Sequence, residues 1–484
     1  MPTRRRVSAS PAQRAKAGAS ASPARKVTVA SPQPAGTARW WMAALCFGAR
    51  AVGQGNRILL GAIMPTMAAE LGLSTVDKGK LLGAFASGYA LTQVLGGAAA
   101  DRVGSKYIML VALLAVSLGS IAAAALGASD SIEALWLVYF VMGLLEGPSY
   151  PATGSMLGQW FPKTEKARAA SAADTGGSIG GLLALGAGPV LAASFGWRAA
   201  LLVFGGASLA FCGLWLAACS DRPASCGWIS AQEMAYLRDS GVVAPAASKA
   251  KAEPARAFPY RLFGRAPVLA VCYAHVIFNF ARYILYGWMP TFYIEVLGVS
   301  PTTAGACMTC LQLSDAFTKV LVGSAADRAI ASGRLSVLDV RKLLSCSGFA
   351  GFAAALLACS FLRDWRLVTA ALVVGKGFAS LHAPGFKTNV SSAPPCLPLV
   401  PHSSELAAAD GQYLDLTTRD VGSLIGVGNS AATVSSMLAP MLAGFVVEEA
   451  GWGAMFQMSA GVTISGALVF GAFASASSLD DKGE

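Results

Sequence analysis

About twelve apolar stretches, each close to twenty residues long, recur along this 484-residue chain and leave little choice of fold. A helix of about 20 residues crosses the ~30 Å hydrocarbon core of a bilayer while satisfying its own backbone hydrogen bonds. The stretches lie near 40–64, 81–100, 106–128, 135–158, 169–194 and 199–218, then 267–293, 303–326, 343–362, 366–389, 421–446 and 453–474. With 55% hydrophobic and 13% charged residues, the chain has too few charges to cover a soluble protein of its length. The pattern predicts an all-α membrane protein of twelve transmembrane helices, six on either side of a polar stretch.

The net charge of +11 could suggest a nucleic-acid partner, but its distribution argues for a lipid bilayer instead. Bases occupy alternate connections: Arg102 and Lys106 after the second stretch, Lys163, Lys166 and Arg168 after the fourth, Arg328, Arg334, Arg341 and Lys342 after the eighth. The connections between hold mainly acids, among them Glu70, Asp77, Asp130, Glu133, Glu295, Glu448 and Glu449. By the positive-inside rule both termini and the central loop face the side that received the chain. The ten cysteines lie mostly inside apolar stretches and read as packing residues, Cys307 and Cys310 included. With three histidines and no GxxxxGK[ST] loop, no metal, cofactor or nucleotide is expected. A carrier driven by a gradient is expected rather than an enzyme, with no catalytic residues.

The predicted divisions are a basic leader at 1–39, a first bundle at 40–218, a linker at 219–266, a second bundle at 267–474 and a short tail at 475–484. The leader holds eight Lys or Arg and no acid, with many Ser, Ala and Pro. That composition suits a plastid transit peptide, the alternatives being another organelle or a basic tail at the plasma membrane. A Pro-rich insertion at 391–413 interrupts the second bundle and reads either as a native loop or as a non-native segment in the coding sequence.

Two connections share a design. Gly96-Gly97-Ala98-Ala99-Ala100-Asp101-Arg102-Val103-Gly104-Ser105-Lys106 follows the second stretch, and a weaker copy, Gly323-Ser324-Ala325-Ala326-Asp327-Arg328, closes the eighth. Small residues let two helices approach closely, and an acid–base pair stands where each helix leaves the bilayer. The duplication points to a transporter whose halves move against each other.

Glycines, an Asp-Arg pair and a Gly-x-Lys after the second of twelve helices resemble the signature loop of the major facilitator superfamily. Leu145-Glu146-Gly147-Pro148-Ser149-Tyr150-Pro151-Ala152, then Trp160-Phe161-Pro162, Glu165 and Arg168, resemble the fourth helix and following loop of its anion:cation symporter branch. Gly287-Trp288-Met289-Pro290-Thr291-Phe292-Tyr293 is similar to that branch too, as are Phe195-Gly196-Trp197-Arg198 and Gly451-Trp452. The branch includes plant plastid type-four phosphate transporters and vesicular glutamate and sialic acid carriers. The resemblance implies two pseudo-symmetric six-helix bundles around a midplane cavity that opens alternately to each face.

An ionisable group in mid-membrane costs about 2.5–3.5 kcal/mol on insertion scales, so those retained usually face the cavity. Arg57 is expected to bind the anion through its forked, always-charged guanidinium, or else to pair structurally with Glu146. The resemblance places an Asp-Arg pair on Gly55 and Asn56, one residue early, so Arg57 stands turned by about 100°. Glu146 sits where the branch keeps a membrane acid and is expected to couple transport to a proton or sodium ion, or to hold a permanent salt bridge. His275, Asn279, Arg282 and Tyr283 fall at helical spacing and are expected to line the cavity. Asp315 and Lys319, four apart, are expected to neutralise each other as a structural pair. Asp101, Arg102, Gly104, Lys106, Asp327 and Arg328 are expected to gate. The resulting expectation is a monomeric secondary transporter of inorganic phosphate or a small organic anion. Its alternatives are an exchanger without ion coupling and a substrate sensor that no longer transports.

Overall fold

The computed structural model describes residues 36–126, 131–243, 260–333, 335–382 and 421–475. The leader ahead of residue 36, the 391–413 insertion and the tail beyond 475 lie outside the described residues.

The first half holds α1 (Ala38–Leu71), α2 (Thr75–Val103), α3 (Ser105–Ala125), α4 (Ile132–Glu146), α5 (Ser149–Trp160), α6 (Lys163–Phe195) and α7 (Trp197–Ala218). After α8 (Ala231–Asp239) come α9 (Ala266–Thr291), α10 (Pro301–Ala331), α11 (Val337–Phe361), α12 (Trp365–Ser380) and α13 (Val421–Phe473). Two departures from one helix per crossing bring the total to the twelve expected. The fourth crossing is split into α4 and α5 at Gly147-Pro148, because a proline lacks the N–H that a helix interior needs and its ring crowds the preceding turn. The last two crossings are joined as α13 and turn at Gly451, whose φ of +80° suits a residue without Cβ. Polar side chains start several helices: Ser131 accepts from the Ala134 N–H, and Ser336 and Asp339 form a capping box.

Small residues set the packing. Gly176 and Gly180 of α6 lie against the backbone of α1 at Phe47 and Ala51, and Gly143 lies against α2 at Phe85. A Cβ at any of these positions would run into a neighbouring main chain.

The linker is not uniformly a linker. Glu233 of α8 is buried and accepts from the backbone N–H groups of Ala38 and Arg39 at 2.9 and 3.0 Å, capping α1 from 195 positions away. Its other partner is the Arg39 guanidinium at 2.9 Å, which also pairs with Glu165 at 2.7 Å. Arg39, counted by composition with the leader, is 1% exposed and belongs to the folded first half.

The described contacts between halves gather toward the acidic-loop end. Gly61 meets the backbone of α9 at Tyr286, Gly79 and Gly83 meet α13 at Pro440 and Met437, and Gly186 meets Gly305. Lys78 and Glu295 form an ion pair across the halves at 2.7 Å. Toward the basic-loop end the Thr433 hydroxyl donates to Gln93 across the halves at 2.7 Å. The contacts of Gly61, Gly79, Gly83, Gly186 and Lys78 close the space between the bundles at the acidic-loop end.

Candidate functional site

A cavity of about 720 Å³ lies between the halves. From α1 it takes Arg50, Gln54 and Arg57, from α9 His275, Asn279, Arg282 and Tyr283, and from α13 Asn429, Thr433 and Ser436. The geometry thus brings Arg57 together with all four residues that sequence spacing placed on one face of the seventh crossing. Arg57 Nη2 donates to the Tyr283 hydroxyl at 2.6 Å, a bond that crosses from one half to the other. The same guanidinium stands 4.9 to 5.2 Å from the ring centroids of Tyr89, Phe85 and Tyr283. Arg282 Nε donates to Tyr286 at 3.1 Å, and Asn279 donates to the His275 carbonyl at 3.0 Å.

The one-residue displacement of Arg57 resolves in the register of α1. Asn56 turns into the first bundle, 1% exposed, where it donates to Ser208 at 2.7 Å and accepts from Ser120 at 2.8 Å. Arg57, one position on, turns toward the cavity. The helix needs no local adjustment, since the register itself separates a packing residue from a cavity residue.

Glu146 ends α4 at the break in the fourth crossing and lines a separate chamber of about 410 Å³ with Arg50, Gly53, Gln54, Arg57 and Tyr89. Its Oε2 is buried with no hydrogen-bond partner, and no ion pair within 4.0 Å forms between it and Arg57. The permanent Arg57–Glu146 bridge held open by sequence reasoning is therefore absent in this arrangement. Gly53 opposes the acid so closely that a Cβ there would stand 2.8 Å from Glu146 Oε1.

Asp315 and Lys319 pair at 2.8 Å. Two further partners were not foreseen: the Ser380 hydroxyl donates to Asp315 at 2.5 Å, and Lys376 Nζ lies 4.0 Å away. Sequence reasoning also missed Arg50 and Asp174, which pair at 3.3 Å. The available signal was the spacing of Arg50, Gln54 and Arg57, which places all three on one helical face.

The residues expected to gate are described only in part. The side chains of Asp101, Arg102 and Asp327 lie outside those described, and Arg328 is exposed. The Lys106 backbone N–H donates to Asp221 at 2.7 Å and its Nζ donates to the Leu216 carbonyl at 3.0 Å, both within the first half. Gly104 holds φ at +99°, and a Cβ there would collide with Asp221, so this glycine is required by conformation and space together.

The signature of the Major Facilitator Superfamily matches residues 10–396. The chain is 26% identical to "Probable anion transporter 4, chloroplastic" of Oryza sativa subsp. japonica, over 90% of this chain and 68% of that one. It is 26% identical to "Sodium-dependent phosphate transport protein 1, chloroplastic" of Arabidopsis thaliana, over 92% and 80%, and 27% identical to "Sialin" of Ovis aries, over 82% and 75%. Among solved structures, the bacterial homolog of the human lysosomal transporter Spinster superposes with a TM-score of 0.66 at 15% identity, over 90% of this chain and 96% of that one. That last likeness is one of fold.

Proposed function

The chain belongs to the Major Facilitator Superfamily, and from that premise we propose that it is a secondary active transporter of anions, carrying inorganic phosphate or a small organic anion by alternating access. The observation that carries this reading is the charge of the cavity: three arginines and no carboxylate line it among the described residues. Cations kept in mid-membrane are costly, and a cavity lined with them favours a negatively charged occupant. Arg57 and Arg282 come from opposite halves, so an anion held by both draws the bundles together as it binds. His275, Asn279 and Tyr283 supply neutral polar contacts around it. The names of the plastid and sialin relatives support the substrate class.

Glu146 is the coupling residue in this reading. A buried carboxylate oxygen without a partner, in a chamber that shares Arg50, Gln54, Arg57 and Tyr89 with the central cavity, can take a proton or a sodium ion. Asp101, Arg102, Gly104 and Lys106, with Asp327 and Arg328, act as gates at the basic-loop end, and the protein works as a monomer. Its place is a plastid membrane, supported by the composition of residues 1–39 and by chloroplast relatives. A fluorescent fusion of those residues imaged outside plastids would refute that location.

Uptake of labelled phosphate, ascorbate, glutamate and sugar acids into liposomes bearing the protein, with and without proton or sodium gradients, tests the transport reading. Accumulation of at least one anion is expected under one of the gradients. Uptake of none under any gradient sinks it.

A further inference from the structure

Arg50 stands where three cavities meet. It lines the central cavity, the Glu146 chamber, and a third cavity of about 340 Å³ bounded by Tyr150, Thr153, Lys166 and Asp174. Its Nη2 is 3.3 Å from Oδ1 of Asp174, a carboxylate only 5% exposed, and its guanidinium carbon is 4.2 Å from the Tyr150 ring centroid. Because Arg50 and Arg57 are seven residues apart on α1, they share a face and are separated by about 10 Å along the axis. Gln54 lies between them, and Arg50 is the nearer to the basic-loop end. An anion that leaves Arg57 toward that end passes Arg50.

We propose that Arg50 is a second anion station on the path between Arg57 and the basic-loop face, and that Asp174 is its exchange partner. The ligand is a small oxyanion, phosphate or carboxylate, since the guanidinium offers forked donors to either. A desolvated arginine without a competitor would hold such an anion too firmly to let it go. Asp174 removes that trap: the guanidinium turns from carboxylate to anion on arrival and back on departure, so it has an anionic partner in both states, and the cost of uncovering the Asp174 carboxylate is what keeps the anion from being held too firmly. The Tyr150 ring supports the guanidinium through both states. Lys166, on the wall of the same side cavity, adds positive charge toward the basic loops.

This inference rests on the transport reading, and the two fail differently. Proteoliposomes with the protein in one orientation, assayed for uptake and efflux of phosphate, ascorbate, glutamate and gluconate, give KM separately at each face. Asp174→Asn is expected to lower KM at the basic-loop face about fivefold and to slow turnover, the scale of losing one competing charge-assisted hydrogen bond. Arg50→Gln is expected to raise KM at that face about fivefold. Arg50→Lys should fall between wild type and Arg50→Gln, and KM at the opposite face should move less than about twofold in all three. Equal changes at both faces, or a loss of folded protein with both KM values unchanged, would make Arg50 and Asp174 a structural pair and overturn the station alone. A wild-type protein that carries none of the four anions overturns the transport reading and the station with it.

Discussion

Each half of the molecule buries an acid in the middle of a crossing, and the two are treated in opposite ways. Asp315 in α10 is gripped from three sides, by Lys319 at 2.8 Å, by the Ser380 hydroxyl at 2.5 Å and by Lys376 at 4.0 Å. Glu146 closes α4 with an open chamber beside it and an oxygen that has no partner. A carboxylate with its lone pairs occupied holds two helices in place. One with space and an unused oxygen is available to an ion or a proton, and the break at Gly147-Pro148 puts it at the end of a helix. Residue type and depth are similar, so the difference lies in the neighbours.

The contrast breaks most visibly in stability. Asp315→Ala removes the carboxylate that Lys319, Lys376 and Ser380 share, and removing one partner of such an ionic cluster costs about 3–5 kcal/mol, to be read as lost folded protein and a lower Tm in detergent. Glu146→Gln removes no partner and should unfold within about 0.5 kcal/mol of wild type, yet lose gradient-driven accumulation while keeping counterflow. If the two variants behave alike in both assays, the distinction between a strut and a coupling group is wrong. Next in size are Arg57→Lys and Arg282→Lys, each expected to raise the uptake KM about tenfold, because an ammonium keeps the charge and loses the fork.

A smaller effect tests the space around each acid. Gly53→Ala pushes a methyl to 2.8 Å from Glu146 Oε1 and should reduce accumulation about threefold by crowding the chamber. Gly377→Ala, whose methyl would meet Thr318 and Ser314 at ordinary distances of 3.4 and 3.7 Å, should leave uptake unchanged. The smallest effect is at Glu70, where the hydrogen bond from Arg198 holds an exposed carboxyl below its ordinary range of 4.5. Its contribution is present above that value and lost as pH falls through the lowered one. The small Tm gap between wild type and Glu70→Gln should therefore close on acidification.

Twelve crossings and two halves were legible because hydrocarbon thickness writes a length into each apolar stretch. Arg57 and the α9 cluster were legible because ionisable groups at midplane depth are few and helical spacing shows which share a face. What escaped was pairing over distance. Asp174 lies 124 positions from Arg50, and Glu233 lies 194 from Arg39; no periodicity within either helix signals the partner. The polar composition of 219–266 concealed α8 for the same reason, since one buried glutamate in a polar stretch looks like any other. The second and third partners of Asp315, both from α12, needed packing to reveal them.

The cap that α8 places on α1 also sets a limit on maturation. If the basic leader is cut away inside an organelle, the severing protease must stop ahead of Gly36. Its carbonyl accepts from Arg39 at 3.2 Å, and the next-but-one amide already belongs to Glu233. A cut two residues later would set a new ammonium terminus on the carboxylate that starts the first helix, and would take with it one acceptor of the arginine that ties three parts of the bundle together. The trimming site is thereby confined by folding, whatever sequence the protease prefers, and amino-terminal sequencing of the mature protein should find its first residue at or before position 36.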